Sequence, residues 1–351
     1  MIHVIFFDQW FTSITTVMKD LKDKYGKALK IVACSENPNH AYRGVVDEFI
    51  VANWKDSSNK PESEQYTDWL LNRLKEHKVD IAFLRKHTDF IIENEDKFKD
   101  IPVDIVLDIN NIKLYKNKTD IYNKLNTTPL SRIVPEYYKD TDTILSMLDR
   151  YTMYNKKYII KLDSEEGGQS FRKIESTLKL PTGIDMLLKP VNNTISVSSA
   201  IEIVKSTRNK KNIIFMPYLY GPELSVDCVS INKGFVALCR KKVSEDRSEV
   251  VYRNTQISNL CEEIQRTLNI KGPFNVQFRY TKKDASFDDM RLTDINFRMS
   301  GGVYLETAVG CNICELYIAN RLSLVTDELL EKFLYFKEKT VTHYETGIEI
   351  K

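Results

Sequence analysis

Polar residues spaced two apart near residue 295 are the clearest sign of chemistry in this sequence. In the segment LTDINFRMSGG, Asp294, Asn296 and Arg298 alternate with apolar residues, and Gln277 lies in a second strand-like segment, FNVQFRY. On a β-strand, two-residue spacing puts side chains on one face. Carboxylate and amide oxygens suit Mg²⁺, which takes few protein ligands and adds phosphate oxygens and water. The pattern therefore indicates a metal site with Arg298 placed to hold a phosphoryl group, and a solvent-facing polar strand is the alternative.

A lysine followed by two glycines suggests phosphate binding in the segment YIIKLDSEEGGQSF. Lys161 ends a predicted strand, where its ammonium group would reach phosphate oxygens. Gly167 and Gly168 would let backbone N–H groups approach a polyphosphate closely. An ordinary glycine turn after a strand is the alternative.

The segment FMPYLYGPELSVD has the form of a hinge between two strands. An extended hinge offers a base such as adenine one carbonyl and one N–H. Glu223, a turn later, would supply a carboxylate for ribose hydroxyls. The alternative is a plain turn with a solvated glutamate.

The order of these four segments resembles the ATP-grasp superfamily, especially the branch of the carbamoyl phosphate synthetase large chain and biotin carboxylase. The resemblance covers about residues 113–325. It implies an α/β protein with α+β lobes, in which an N-terminal Rossmann-like domain precedes the ATP-grasp fold.

The resemblance also implies roles for individual residues around ATP. The nucleotide would be bound by Lys118, Lys161, Gly167, Gly168, Pro217, Leu219 and Glu223. Two Mg²⁺ ions, with Mn²⁺ as the alternative metal, would be bound by Gln277, Asp294 and Asn296. The catalytic residues would be Arg298 and Lys161. From their positions in the sequence, Ser300, Gly301 and Gly302, directly after Arg298, could present backbone N–H groups to an acylphosphate, and Arg240 at a strand end could clamp the substrate carboxylate. For Arg240, which lies in ALCRKK, a surface basic run is the alternative.

Three departures from the family pattern limit what the resemblance implies about the substrate. Asp294 stands where relatives usually have glutamate, and Phe297 replaces the proline of the common N-P-R motif. The glycine loop has fewer glycines than in many relatives, and the span from Lys161 to the hinge is longer. None of these changes removes a phosphate or metal contact, but they weaken the transfer of detailed substrate geometry.

The implied reaction is that of a carboxylate-amine ligase. A small-molecule carboxylate would attack the γ-phosphorus of ATP, and a small-molecule amine would then displace phosphate from the acylphosphate. Two alternatives stay open: phosphorylation of bicarbonate or carbamate, and a regulatory protein that binds nucleotide without turnover. The oligomeric state is not readable from the sequence, and a homodimer is left open.

Apolar runs alternate with amphipathic stretches in the first part of the chain, which predicts a parallel sheet flanked by helices. The first turn, FDQWFTS, lacks G-x-G-x-x-G, so a dinucleotide site is not expected there. We predict an inserted loop over 171–200 and an antiparallel sheet after it. The expected domains are a Rossmann-like domain (1–112), central helices with the small lobe and phosphate loop (113–214), and a large lobe with the metal site (215–351).

The composition argues against binding to nucleic acid or a membrane. The 51 basic and 49 acidic residues leave a formal net charge of +2, so no global field would attract a polyanion. No apolar run approaches the roughly 20 residues of a membrane span. We read Met1 to Phe7 as a first strand and expect six reduced cysteines in a cytoplasmic protein.

Overall fold

The chain forms two compact units in the computed structural model, which describes residues 1–7, 13–57, 59–153, 156–164, 170–176, 193–207, 212–243, 248–283 and 286–343. The large unit comprises Met1–Leu114, Glu223–Gln277 and Ile295–Lys351, and the small unit comprises Tyr115–Pro222 and Phe278–Asp294. The three-part division at residues 112 and 214 stays a prediction.

A five-stranded parallel sheet forms the N-terminal part of the large unit, as expected. Its strands have the order β3-β2-β1-β4-β5. They are β1 (Ile2–Phe7), β2 (Leu29–Ser35), β3 (Glu48–Val51), β4 (Ile81–Phe83) and β5 (Asp104–Val106). The helices between and after them are α1 (Ile14–Tyr25), α2 (Glu62–Glu76), α3 (Thr88–Glu93) and α4 (Ile109–Leu114).

Side chains of this sheet are buried on both faces, which is why its strands read as continuous apolar runs. Val4 and Phe6 pack into one hydrophobic cluster, whereas Ile5, between them, packs into another. β2 repeats this alternation, with Ile31 in the first cluster and Val32 in the second. Both layers hold the carboxyl ends of the strands at one edge of the sheet.

The small unit is built on a four-stranded sheet with the order β8-β7-β6-β9. The strands are β6 (Tyr158–Leu162), β7 (Arg172–Glu175), β8 (Thr194–Ser196) and β9 (Ile213–Pro217), and the helices are α5 (Lys118–Asn126), α6 (Thr141–Asp149) and α7 (Val197–Thr207). One face, with Tyr158 and Phe215, packs on buried residues of α6 and α7. The other face carries a small apolar cluster with Ile159 and Met216.

The predicted inserted loop over 171–200 is wrong at both of its ends. Strands β7 and β8 lie there and pair in parallel. They have four and three residues, too short for a readable alternation of polar and apolar residues. The middle of the segment, 177–192, lies outside the described residues.

A six-stranded sheet with the order β14-β13-β10-β11-β12-β15 contains the later strands. These are β10 (Glu223–Ile231), β11 (Gly234–Lys242), β12 (Glu249–Tyr252), β13 (Phe274–Tyr280), β14 (Met290–Asn296) and β15 (Lys339–Val341). The accompanying helices are α8 (Thr255–Leu268), α9 (Val303–Ala308), α10 (Ile313–Arg321) and α11 (Asp327–Leu334). The antiparallel pairing predicted for β10 and β11 is confirmed. The six cysteines are free and buried, and no described helix is both long and apolar enough to cross a membrane.

Candidate functional site

Three of the residues predicted to bind phosphate and metal lie together in the small unit. Lys118 is the first residue of α5, and its Nζ is 3.2 Å from Oδ1 of Asp294 on β14. Lys161 on β6 is close enough to Lys118 and Asp294 for both charges to affect its pKa. The side chains of Lys118 and Asp294 are only 12% and 14% exposed. A phosphate group would therefore meet two lysines in a partly dry environment.

Lys161 has a perturbed pKa. Burial, followed by repulsion from Lys118, lowers the pKa of its ammonium group to about 8, although Asp294 and Asp163 act in the opposite direction. The nearby carboxylates thus do not compensate fully for the burial of the charge. A bound anion would supply the missing compensation.

Asp163 organises this site, and the sequence interpretation missed it. It is fully buried, its main-chain carbonyl accepts the Lys118 N–H at 3.1 Å, and its Oδ1 accepts the Thr119 N–H at 3.0 Å. Its Oδ2 lies 3.0 Å from Nζ of Lys139. A carboxylate at a helix N-terminus satisfies free backbone donors and interacts favourably with the helix dipole. Asp163 therefore fixes the start of α5, and with it Lys118, beside the end of β6. Its position two residues after Lys161 was the feature of the sequence that could have identified it.

The hinge presents main-chain groups along one edge of β9. The Tyr218 N–H donates to the Lys157 carbonyl at 2.7 Å, so residue 218 forms the hydrogen-bonded pair with β6. Because such positions alternate, the Pro217 carbonyl faces away from β6, along the edge where Phe215 bonds to Tyr138. This orientation fits the carbonyl predicted to bind adenine.

A cavity of about 340 Å³ borders the hinge in the small unit. It is lined by the hinge residues 217–220, including Pro217 and Leu219, and by Lys157, Thr281 and Arg291. Its volume falls within the range of small-molecule sites. Its lining combines aromatic rings, which suit a nucleobase, with three basic residues (Lys156, Lys157 and Arg291) and one carboxylate, Glu136. The cavity makes the hinge a candidate nucleobase site.

The remaining predicted ligands lie on strands of the large unit. Glu223 begins β10, and its Oε1 is 2.9 Å from Nζ of Lys242. Gln277 is half-buried on β13. Asn296 ends β14, two positions after Asp294, and donates to Oδ1 of Asn275 at 3.5 Å. Gly167 and Gly168 lie outside the described residues.

Arg298 lies at the carboxyl edge of the parallel sheet within the large unit. With Met299 it borders a cavity of about 10 Å³ whose other walls are Phe83, Leu84 and Val106. Phe83 and Val106 are the last residues of β4 and β5. The cavity has room for about one water. The residue predicted to contact the transferred phosphoryl group thus adjoins the sheet edge where open α/β folds bind ligands.

Arg240 is buried, so the alternative of a surface basic run is wrong. It is 5% exposed and contacts three carboxylates, those of Asp227 at 2.7 Å, Glu249 at 2.8 Å and Glu306 at 3.1 Å. Burial opposes its charge, but Asp227, Glu306 and Glu249 raise the pKa of Arg240 above its usual value. Its role as a substrate clamp stays a prediction, with the guanidinium already bound by protein groups.

The oxygen donors fit a metal that arrives with a nucleotide better than a metal that binds alone. Within the described ranges, no group of three or more His, Cys, Asp or Glu side chains could hold an ion. Asp294 is the only charged member of the predicted set, and Lys118 already pairs with it. Mg²⁺ commonly takes one or two carboxylates and completes its shell with phosphate oxygens. Gln277, Asp294 and Asn296 suit that arrangement.

Comparison with known proteins supports the ATP-grasp resemblance. Residues 209–344 match the model of a family described as ATP-grasp in the biosynthetic pathway with Ter operon. N5-carboxyaminoimidazole synthetase from Staphylococcus aureus, solved with ADP, superposes with a TM-score of 0.60 at 14% identity, covering 91% of this chain and 76% of that one. Biotin carboxylase from Campylobacter jejuni superposes with a TM-score of 0.62 at 13% identity, covering 94% of this chain and 73% of that one. L-amino acid ligase from Bacillus licheniformis superposes with a TM-score of 0.60 at 12% identity, covering 94% of this chain and 76% of that one. The search of curated proteins gave no match.

These findings define the class of protein. The chain has the ATP-grasp fold with mixed α/β content and a parallel sheet at its N-terminus, as the sequence resemblance implied. The match to the Ter-operon biosynthetic ATP-grasp family covers residues 209–344, which is less than half of the chain. At 12–14% identity the superpositions show the fold alone, so the substrate has to be inferred from the residues of the site.

We predict that nucleotide affinity depends on the protonation of Lys161. Its native pKa of about 8 means that affinity for a non-hydrolysable ATP analogue should decrease as pH rises through about 8. Bound phosphate would raise this pKa, so binding should take up protons near pH 8.5, roughly. Calorimetry in two buffers of different ionisation enthalpy measures both effects.

Lys161→Arg is the matched control, because arginine stays charged throughout this range. Its affinity should vary less with pH than that of the wild type. Equal pH profiles for the two proteins, or wild-type affinity that is constant from neutral to alkaline pH, would contradict the assignment.

We predict that Lys118 competes with metal for Asp294 when nucleotide is absent. Lys118→Met should tighten binding of Mn²⁺ alone by roughly fivefold, since an ion pair of this kind contributes about 1 kcal/mol. The same change should weaken binding of the ATP analogue, because a phosphate contact is lost. Lys124→Met, on the exposed side of α5, controls for net charge. Mn²⁺ titration followed by electron paramagnetic resonance distinguishes the variants, and identical titrations would refute the competition.

Proposed function

We propose that this protein is an ATP-dependent ligase that phosphorylates a carboxylate and joins the acylphosphate to an amine, releasing ADP and phosphate. The observation that carries the proposal is the arrangement of Lys118, Lys161 and Asp294 in the small unit, where two cations are held beside a carboxylate. A purely structural site would not favour two lysines side by side with one of them buried.

The two lysines provide charge for a triphosphate. At an effective dielectric of 20, a unit charge pair about 4 Å apart is worth roughly 4 kcal/mol. Lys161 would gain more interaction free energy from a bound phosphate than an exposed lysine would, because the phosphate offsets its repulsion from Lys118. Asp163 holds Lys118 at the start of α5, so little ordering is left for the moment of binding.

The hinge residues give the small unit a place for the base. The Pro217 carbonyl faces away from β6, and Leu219 lies in the same extended segment, next to the 340 Å³ cavity. A carbonyl and an N–H two residues apart match the donor and acceptor pattern of adenine. Glu223, which follows the hinge, would bind the ribose. Its carboxylate would release Lys242 and accept hydrogen bonds from the ribose hydroxyl groups instead.

ATP and Mg²⁺, when bound, supply the transferable phosphoryl group and additional positive charge. Asp294, released from Lys118, would bind metal together with Gln277 and Asn296. Arg298 would contact the phosphoryl group being transferred. Such transfer depends on positioning and charge neutralisation, so the chain needs no nucleophilic side chain of its own.

ADP release measured with a panel of carboxylates and amines tests the proposal. Release that requires both an acid and an amine would support a carboxylate-amine ligase. Release with bicarbonate alone would point to the bicarbonate or carbamate reaction instead. Tight Mg-ATP binding with no stimulated ADP release would leave only the regulatory reading and would overturn the proposed activity.

We predict that Arg298→Ala lowers kcat by at least about 100-fold and leaves affinity for Mg-ATP nearly unchanged, because Arg298 would act on the charge that develops during transfer. Steady-state ADP release and calorimetric binding measure the two quantities. Arg266→Ala, an exposed arginine paired with Glu262, should behave as the wild type. Wild-type turnover in Arg298→Ala would refute the role of Arg298.

A further inference from the structure

A buried ion cluster centred on Arg240 joins several elements of the large unit. Arg240 comes from β11, and its carboxylate partners come from β10 (Asp227), β12 (Glu249) and α9 (Glu306). Asp227 is 1% exposed and Glu306 is fully buried. Asn275 on β13 also donates to Oδ1 of Asp227 at 3.2 Å.

The charges of this cluster do not balance if every group is ionised. Three carboxylates would face one guanidinium, and an excess buried charge is costly. Burial and the neighbouring Asp227 raise the pKa of Glu306 well above its usual value, which favours the protonated acid. Arg240 is therefore shared mainly by Asp227 and Glu249. A buried cluster of this kind is weak evidence for a role in stability alone.

The cluster is tied to the loop that follows β14. The Ser300 hydroxyl donates to Oδ2 of Asp227 at 2.8 Å and accepts from Nη2 of Arg240 at 2.8 Å. The Ser300 N–H donates to Oδ1 of Asp227 at 3.2 Å, and the Gly302 N–H donates to the Ser300 hydroxyl at 3.1 Å. These contacts engage the N–H groups of both Ser300 and Gly302.

The same loop carries Arg298. Its Nη1 donates to the Met299 carbonyl at 3.0 Å, and Met299 immediately precedes the anchored Ser300. A chain of contacts thus runs from Asp227 and Arg240, through Ser300, to the guanidinium predicted to contact the phosphoryl group.

Gly302 shows how closely the loop packs on the cluster. A Cβ atom at this position would lie 2.2 Å from Nη1 of Arg240, far inside van der Waals contact. The side chains of Asp227, Glu249 and Glu306 all contact the guanidinium, so it has little freedom to move away. Only glycine fits here while the cluster stays intact.

We propose that Asp227 and Arg240 are positioning residues that set the conformation of residues 299–302 and thereby the placement of Arg298. The proposal rests on the proposed function for the role of Arg298. It replaces the sequence-based roles of Arg240 as a substrate clamp and of Ser300 as a donor to the acylphosphate. Ser300 instead transmits the position of the ion cluster to the loop.

Asp227→Asn, Ser300→Ala and the double variant test the proposal. Each single change should lower kcat by about 10- to 100-fold, as expected for a small misplacement of a catalytic group, with little change in the KM for ATP. The double variant should be about as slow as the slower single variant, because both changes break one path. Amide hydrogen exchange over 299–303 should become faster in all three variants and stay unchanged in Arg266→Met.

Ser300→Ala leaves the ion cluster in place, so this variant should fold even if Asp227→Asn does not. Wild-type kcat in Asp227→Asn together with a slow Ser300→Ala would mean that Ser300 contacts substrate directly, which would overturn the proposal. Unchanged exchange over 299–303 in Ser300→Ala would overturn it as well. Absence of turnover in the wild type, with exchange behaving as expected, would instead count against the proposed function.

Discussion

The candidate phosphate site of the small unit holds two positive charges close together where little water reaches them, which costs free energy. Lys161 is buried on β6 beside Lys118, and attraction to the carboxylates of Asp163 and Asp294 offsets only part of that free-energy cost. The remaining imbalance makes the site favour anions, because a phosphate stabilises both cations at once. Relief of this repulsion would add to the affinity for a polyphosphate in the proposed function.

The large unit shows the opposite imbalance around Arg240. Carboxylates outnumber the guanidinium, and burial together with Asp227 raises the pKa of Glu306 well above its usual value, which favours its protonated form. The guanidinium of Arg240 is held by Asp227, Glu249, Glu306 and the hydroxyls of Ser225 and Ser300. Arg240 lies in a basic sequence run, and its burial excludes the alternative that this run is simply a solvated surface.

Long and regular patterns were predictable from the sequence, whereas short elements and distant partners were not. β1 has a strong apolar pattern and was predicted nearly to its ends, as Met1 to Phe7. β3, β12 and β15 have only four or three residues, at sheet positions that the sequence pattern alone does not reveal. Lys161 and Asp294 were found from the order of the motifs. Asp163 and Glu306 were missed because each acts on a partner far along the chain, 44 residues away for Thr119 and 66 for Arg240.

The acceptor of the proposed reaction has to be inferred from this chain's own residues, since the structural relatives agree with it at only 12–14% of positions. The position of Arg298 indicates which part of the large unit would bind the acceptor. Within the large unit it adjoins Leu84 and Val106, at the carboxyl ends of β4 and β5. Connections reverse direction near β1 and β4 in this sheet, and open α/β sheets bind ligands at such a point. In the proposed reaction, a carboxylate bound at this edge would lie next to Arg298, so we expect the acceptor at this edge of the N-terminal sheet.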